Sequence, residues 1–350
     1  MDITPSFIKK SWIRLFIVKS FIQELVQSAW RKKQKGMFFY LLFIPLSWLF
    51  ALVTALRRKL YQRGILKSYE LPVPVIIVGN ISVGGSGKTP MVIWLVEQLK
   101  KNGYKPAVIS RGYGGSATQA TSVTPASLPS IVGDEPVLIA SRCACPVWVG
   151  TDRVQVGLEL LKAYPACNVL VSDDGLQHYR LKRDFEIAIV NTGMPPEGSY
   201  LLPAGPLREP VSRLKTVNAV VYNGEKTSNA AYKMQLVGEK FYNLADANLT
   251  ASVADFTQKK VTALAGIGKP ERFFEHLRKL GLTFASLSFA DHYVFTAQDL
   301  AKIDCDAIIM TEKDAVKCKT FARKNCWVLP VEASIDETLV SLILNTIAKR

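Results

Sequence analysis

The chain has 350 residues, enough for one large domain or two ordinary ones, of which 49% are hydrophobic, and its formal net charge is +15. Residues 1–70 contain 13 Lys or Arg and 3 Asp or Glu, whereas the other 280 residues contain 31 and 26. A nucleic-acid-binding protein would more often spread its basic side chains over a folded face, so this distribution argues against a nucleic-acid partner and favours attraction to an anionic membrane surface.

Residues 37–56, MFFYLLFIPLSWLFALVTAL, are an uncharged stretch just long enough to span a bilayer as a helix. Basic clusters at 31–35 and 57–59 flank it on both sides, so the charge distribution does not fix an orientation. Residues 7–26 mix basic with aromatic and aliphatic residues, which is typical of a helix bound at a membrane surface. We therefore predict a membrane-associated helical segment over residues 1–70. It either spans the bilayer or lies in the interface; the alternative is a helix docked on the protein's own core.

From residue 72 short apolar runs alternate with helical patterns, which predicts an α/β fold. The run VPVIIVG at 73–79 is continuously apolar, as expected for a strand buried on both faces. Further strands are predicted at 105–110, 146–150, 168–173 and 185–191, with helices at about 88–102 and 153–164. Residues 71–192 are thus predicted to form a mostly parallel sheet with helices on both faces.

A glycine-rich loop joins the first of these strands to the first helix. The phosphate-binding consensus is G-x-x-x-x-G-K-[ST], and this chain has serine in place of the first glycine but retains GKT. Such a loop turns backbone N–H groups onto phosphate oxygens at the N-terminus of a helix, with the lysine reaching the β- and γ-phosphates and the threonine available to Mg²⁺. A P-loop NTPase-like nucleotide site is therefore predicted at Ser82, Val83, Gly84, Gly85, Ser86, Gly87, Lys88 and Thr89.

Acidic and basic candidates follow other strands. The strand at 168–173 closes on Asp173 and Asp174; because adjacent residues of a strand point to opposite sides, only one is expected to face Mg²⁺ directly, and the sequence does not decide which. Arg111 lies in SRGYGG and Asp134 in GDEP, which we interpret as a turn. A kinase needs a base on the attacking hydroxyl, commonly an Asp. Taken alone, none of these residues establishes a catalytic role.

A Gly- and Pro-rich stretch at 193–213 precedes a second α/β pattern, so we predict a second, smaller α/β lobe over residues 193–350. Its predicted strands lie at 218–223, 260–266, 307–312 and 326–330, and its helices at about 269–280 and 297–303. The inter-lobe loop carries Arg208 and Glu209, and the motif ADHYVF carries His292.

Nine motifs in this order resemble the tetraacyldisaccharide 4'-kinases, the lipid A 4'-kinases of Gram-negative bacteria, over about residues 40–331. They are PLSWLFALVTALRRKLY, VPVIIVGNISVGGSGKTP, SRGYGG, GDEPVLIA, SDDGLQHYRLKRDFEIAIVN, LPAGPLRE, AGIGKPERFF, ADHYVF and MTEKDAVKC. The resemblance implies transfer of the ATP γ-phosphate to the 4'-hydroxyl of tetraacyldisaccharide 1-phosphate, which forms lipid IVA. It places the enzyme at the cytoplasmic face of the inner membrane, beside an acyl-chain substrate whose exposure to water would cost about 0.8 kcal/mol per CH₂.

By the same resemblance, Asp134 is the candidate base on the sugar hydroxyl, and His292 pairs with it. Mg²⁺ is expected among Thr89, one aspartate of the 173/174 pair and Glu209. Lys88, Arg111 and Arg208 supply positive charge toward the phosphate groups of the substrates.

The alternative function is a membrane-targeted P-loop switch ATPase. Such proteins usually carry a second lysine early in the phosphate loop, whereas Ser82 to Gly85 include none. A switch ATPase hydrolyses ATP without a sugar lipid, and a kinase is nearly idle until the acceptor is supplied. A non-enzymatic membrane or nucleic-acid binding module is disfavoured by Lys88, Thr89 and the aspartate pair.

Overall fold

The computed structural model describes residues 37–192, 200–224 and 232–350. The surface helix predicted at 7–26 lies outside these residues. The helices, numbered in chain order, are α1 Met37–Gln62, α2 Lys88–Lys101, α3 Pro129–Val132, α4 Asp134–Cys143, α5 Arg153–Ala163, α6 Pro270–Lys279, α7 Ala297–Ala301, α8 Glu312–Cys318 and α9 Thr338–Ile347. Over the described part of the chain, none of the helices combines the length and the apolar character that crossing a membrane requires.

Fifteen strands are described, and they form two sheets. They are β1 Val75–Gly79, β2 Pro106–Ser110, β3 Thr121–Val123, β4 Val147–Val149, β5 Val169–Asp173, β6 Phe185–Asn191, β7 Ala219–Asn223, β8 Tyr232–Val237, β9 Phe241–Asn243, β10 Thr250–Ala251, β11 Val261–Ala265, β12 Ala285–Ser288, β13 Ala307–Thr311, β14 Cys326–Leu329 and β15 Glu332–Ile335. The strands predicted around β1, β2, β4, β5 and β6 are confirmed, with ends that differ by at most two residues.

The larger sheet has the strand order β15-β8-β7-β6-β1-β5-β2-β4-β3. Its central strands pair in parallel, and the two edge strands β3 and β15 are antiparallel to their neighbours. Along β1, Ile76 and Val78 belong to a buried cluster that includes Leu95 of α2, and Val75 and Ile77 belong to another that includes residues of α5. Because side chains alternate along a strand, these clusters lie on opposite faces of the sheet.

The smaller sheet has the order β10-β9-β14-β13-β11-β12. The strands β12, β11, β13 and β14 pair in parallel, whereas β9 and β10 are antiparallel. Its core includes Phe241, Phe256 and Phe274 of one cluster and Met310 of another. The α/β fold with two mostly parallel sheets is thus confirmed.

The larger sheet extends past residue 192, where the sequence predicts a second lobe. The strand predicted at 218–223 corresponds to β7, which pairs in parallel with β6, and β8 and β15 add to the same sheet. The division of the chain at residue 193 therefore does not coincide with the division between the sheets. A local apolar pattern identifies a strand but not the strand with which it pairs. The pairing depends on which sheet edge is available to it in the folded protein.

One motif predicted as a turn is helical. GDEP begins α4, with Gly133 at φ 90° as its N-cap and Asp134 and Glu135 in its first turn. Carboxylates there interact favourably with the helix dipole. The structure corrects the turn predicted at this motif.

Candidate active site

The glycine-rich loop connects β1 to α2, with Gly87 as the N-cap of the helix. Gly84 and Gly87 have φ values of 101° and 90°, in the region that favours glycine. A Cβ atom on Gly87 would lie 2.7 Å from Asn223 Nδ2. The loop therefore needs glycine at this position both for its backbone conformation and for space.

Three asparagine side chains hold the loop in place. Asn191, at the end of β6, donates from Nδ2 to the Gly85 carbonyl, and Asn223, at the end of β7, donates to the Ser86 carbonyl, each at 3.0 Å. Asn80 Nδ2 donates to Ser86 Oγ, also at 3.0 Å. These bonds engage two carbonyl groups of the loop, whereas binding of an anion requires its N–H groups. The loop is thus supported from the sheet in a form suited to a phosphate chain.

Lys88 begins α2 and faces Asp174. Its Nζ lies 3.6 Å from Asp174 Oδ1, and Arg208 Nη1 donates to both carboxylate oxygens at 3.0 Å. Burial would raise the pKa of Asp174, but the charges of Lys88 and Arg208 bring it below its usual value. Asp174 is therefore ionised and already paired with cations.

Asp173, its neighbour, is buried at the end of β5 and forms no ion pair with the cations of the described residues. Oδ2 accepts a hydrogen bond from Ser110 Oγ at 3.1 Å, whereas Oδ1 has no hydrogen-bond partner among the described residues. Burial, together with the charges of Glu135 and Asp174, raises the pKa of Asp173 to about 7. A carboxylate in this state lacks a positive partner, which is what a divalent cation provides.

Glu209, another predicted metal ligand, is surrounded by donors. Its carboxylate accepts from Gln177 Nε2 at 3.0 Å and from Tyr179 OH at 2.8 Å, and Arg213 Nε lies 3.1 Å away. In the portion of the chain that is described, no group of three His, Cys, Asp or Glu side chains could hold a metal ion. Magnesium sites in nucleotide-binding proteins commonly use only one or two carboxylates together with phosphate oxygens and water.

Asp134 and His292 meet although 158 residues separate them. His292 Nδ1 lies 3.0 Å from Asp134 Oδ2, and Asp134 is only 4% exposed. Burial would raise the pKa of Asp134, but the hydrogen bond with His292 and the charge of Lys313 lower it. Because an ionised carboxylate only accepts hydrogen bonds, His292 donates from Nδ1. The ring of His292 also lies edge-on to Tyr113, with centroids 5.1 Å apart.

One cavity of about 2260 Å³ joins these parts. Its lining includes the loop from Val83 to Thr89 together with Asp173, Asp174 and His292. Pockets for single small ligands are usually about 300–1,000 Å³. The cavity therefore has room for a nucleotide and a second substrate together.

A model of the family described as tetraacyldisaccharide-1-P 4'-kinase matches residues 39–348. The chain belongs to this kinase family. The tetraacyldisaccharide 4'-kinase of Methylobacillus flagellatus is 49% identical over 300 residues, which cover 86% of this chain and 90% of that protein. The same kinase of Dechloromonas aromatica is 44% identical over 334 residues, which cover 93% and 98%.

A solved structure supports the same relationship. The crystal structure of the family member from Aquifex aeolicus in complex with ATP superposes with a TM-score of 0.73 at 30% identity, and the match covers 87% of this chain and 98% of that one. The predicted family is confirmed. The kinase is an ATP-dependent tetraacyldisaccharide 4'-kinase of lipid A biosynthesis, as the resemblance implied.

The remaining histidines and the predicted phosphate-binding arginines have different surroundings. Arg111 is exposed and, like Arg208, lines the cavity of the kinase. His276 Nε2 lies 2.8 Å from the Gly238 carbonyl oxygen. His178 is partly buried, and its Nε2 has no hydrogen-bond partner among the residues that the structure describes.

Sequence reasoning missed the asparagines of the loop and Lys313. Asn191 and Asn223 each end a strand that neighbours the loop, and the carboxyl ends of parallel strands are where α/β proteins place their sites. That position is the signal that could have found them. Lys313 lies in the motif MTEKDAVKC, which contributed only to the resemblance.

Proposed function

We propose that the kinase binds ATP on the loop from Ser82 to Thr89 and transfers its γ-phosphate to the 4'-hydroxyl of tetraacyldisaccharide 1-phosphate, with Asp134 as the base. The observation that carries this proposal is the buried, ionised Asp134 hydrogen-bonded to His292 beside the cavity that the loop lines. The ATP complex of the related Aquifex aeolicus protein supports the nucleotide assignment.

In the proposed reaction, the 4'-oxygen forms a bond to the γ-phosphorus while the bond from that phosphorus to the β–γ bridging oxygen breaks. The hydroxyl proton passes to the Asp134 carboxylate, and ADP leaves with the bridging oxygen. The hydrogen bond that His292 donates from Nδ1 orients the carboxylate and fixes the position of its oxygens. Lys88, Arg111 and Arg208 offset the negative charge of the phosphate groups.

Two residues fit the Mg²⁺ that P-loop kinases use with ATP. Asp173 offers a buried oxygen without a hydrogen-bond partner in the described structure, and Thr89 offers its hydroxyl at the start of α2. Asp174 and Glu209 hold Arg208 and Arg213 in the structure described here, so they would take part by exchanging these partners or through water. When bound, Mg²⁺ neutralises charge on the transferred phosphate.

We further propose that α1 lies on the anionic cytoplasmic face of the inner membrane. Apolar side chains exposed on this helix are Leu46, Trp48, Leu49, Leu52, Val53 and Leu56. Exposed apolar side chains with Arg57 and Lys59 at the end of the helix are typical of attachment to an anionic surface. Phe50 and Thr54 line the cavity, so α1 connects the membrane to the site where the lipid acceptor reacts.

The test is an acceptor-dependent transfer assay. The purified full-length chain is incubated with γ-labelled ATP, Mg²⁺ and tetraacyldisaccharide 1-phosphate in mixed micelles, and the position of the label is determined. We expect label at the 4' position and little phosphate release without the acceptor. Equal ATP hydrolysis with and without the acceptor, and no labelled lipid, would instead support the switch ATPase.

A further inference from the structure

The contact between α4 and α8 carries a buried lysine that the mechanism above does not use. Lys313 lies in the first turn of α8, and its side chain is only 16% exposed. Its Nζ lies 3.1 Å from Glu135 Oε1, 3.4 Å from Asp291 Oδ1 and 4.0 Å from Asp134 Oδ2. One ammonium group therefore faces three carboxylates, two from α4 and one from the loop after β12.

Each of the two nearer carboxylates is adjacent in sequence to a member of the Asp134–His292 pair. Glu135 follows Asp134, and its backbone N–H donates to Asp134 Oδ1 at 2.9 Å. Asp291 precedes His292, and the backbone N–H of His292 donates to Asp291 Oδ1 at 3.1 Å. A bridge between Glu135 and Asp291 thus ties together the two chain segments that supply the pair.

We propose that Lys313 is a positioning residue for phosphoryl transfer: its ammonium group bridges Glu135 and Asp291 and so holds Asp134 and His292 in contact across the two sheets. The inference rests on the proposed function, since it concerns the base assigned there. A positive charge 4.0 Å from Asp134 Oδ2 also keeps that carboxylate ionised and ready to accept the proton.

The charge state of Lys313 agrees with this role. Burial would lower the pKa of Lys313, but the carboxylates of Glu135, Asp134 and Asp291 raise it above its usual value. The lysine is therefore positively charged throughout the pH range in which Asp134 titrates. It cannot accept the hydroxyl proton itself, which separates its role from that of the base.

A second ion pair links the same helices without contacting Asp134. Arg142, in the last turn of α4, donates from Nη1 to Glu312 Oε1 at 2.5 Å. Loss of this pair weakens the α4–α8 contact but leaves the charges around Asp134 in place. Arg142 is therefore the matched comparison for a purely structural effect.

The pH profile of kcat distinguishes the two effects. The ionisable groups around the Asp134–His292 pair are Tyr113, Glu135, Asp291, Lys313 and Lys317. Lys313 and Lys317 lower the pKa of Asp134, and Lys313 is the larger influence of the two. Removing the Lys313 charge must raise this pKa, so the fall in kcat on the acidic side moves to higher pH.

The experiment compares full-length Lys313→Met, Lys313→Gln, Lys313→Arg and Arg142→Met, with Lys319→Met as an exposed control just after α8. We expect the two neutral variants at 313 to lose about 10²-fold in kcat, a loss that displacing a reacting group by about 1 Å can cause. The acidic limb of their pH profile, which is the fall in kcat at low pH, should move to higher pH by about 1–3 units, while the KM for ATP changes little. Lys313→Arg should restore the wild-type limb, Arg142→Met should keep it, and Lys319→Met should behave as wild type.

Thermal unfolding identifies any variant that does not fold. If Lys313→Met does not fold, Lys313→Gln provides the neutral variant for the comparison. An unmoved acidic limb in both neutral variants, or the same shift in Arg142→Met, overturns the inference. The variant Asp134→Asn distinguishes failure of the role proposed for Lys313 from failure of the proposed function. Full activity of Asp134→Asn removes the base assignment, whereas an inactive Asp134→Asn beside wild-type-like neutral Lys313 variants removes only the role of Lys313.

Discussion

Replacing Gly87 by alanine should weaken ATP binding for two reasons. Alanine disfavours the backbone conformation of this position, and the loop leaves no space for its Cβ atom. With φ at 90°, alanine costs about 1–2 kcal/mol relative to its preferred conformations. Its Cβ atom would lie 2.7 Å from Asn223 Nδ2 and 2.9 Å from Met234 Cε. Moving the Asn223 amide from the Ser86 carbonyl, 3.0 Å away, costs about a further 0.5–1.5 kcal/mol.

If the strained loop adopts another conformation in the free protein, these costs raise the Kd for ATP. Binding of ATP must then restore the conformation that binds it. Together they are about 1.5–3.5 kcal/mol, which corresponds to a Kd for ATP about 10- to 300-fold higher. Isothermal titration with a non-hydrolysable ATP analogue measures this change. A Kd equal to that of the wild type would refute the view that the observed loop conformation is the binding-competent one.

Gly103 provides the matched control, because it follows the other end of α2. Its φ is 82°, but a Cβ atom there would have no neighbour within 4 Å. Gly103→Ala should lower the Tm through backbone strain and leave the Kd for ATP unchanged. An equal loss of ATP affinity in Gly103→Ala would show that the effect at Gly87 is general destabilisation.

Three further predictions concern Lys88 of the loop, the helix α1 and His178. Lys88→Ala should lower kcat by about 10²–10³-fold in the transfer assay, since a charge that stabilises the transition state is lost; an unchanged kcat would exclude the nucleotide assignment. Trp48→Glu should reduce co-sedimentation with anionic vesicles, because Trp48 is 67% exposed on α1; retained binding would argue against α1 as the membrane contact. Burial, together with the charge of Arg153, lowers the pKa of His178 from 6.5 to about 4. Between these pH values the unfolded chain binds more protons than the folded protein, so the free energy of unfolding decreases as the pH falls. The Tm of His178→Gln should therefore fall less than that of the wild type over this range, and parallel curves would contradict the assignment.

The strand, glycine-rich loop and helix that we propose to bind the nucleotide were predictable as elements because they are local in the sequence. A buried strand, a glycine-rich loop and a helix follow one another within residues 75–101, and this order predicts a phosphate site without any long-range contact. The acidic end of β5 was predictable for the same reason, since a continuous apolar run marks a strand of a parallel sheet. The different surroundings of Asp173 and Asp174 were not predictable, because they depend on Arg208, which a distant loop brings to Asp174.

The sequence by itself determined the α/β class, the glycine-rich loop between a strand and a helix and, through its ordered motifs, the family, because these depend on periodicity and on short stretches of chain. Only the tertiary structure decided that β7, β8 and β15 extend the larger sheet, and that Lys313 faces the contact between Asp134 and His292. Hydrogen bonds and charge interactions act over a few ångströms of space. Which groups come within that range depends on how two separate sheets pack, and no local pattern of residues records it.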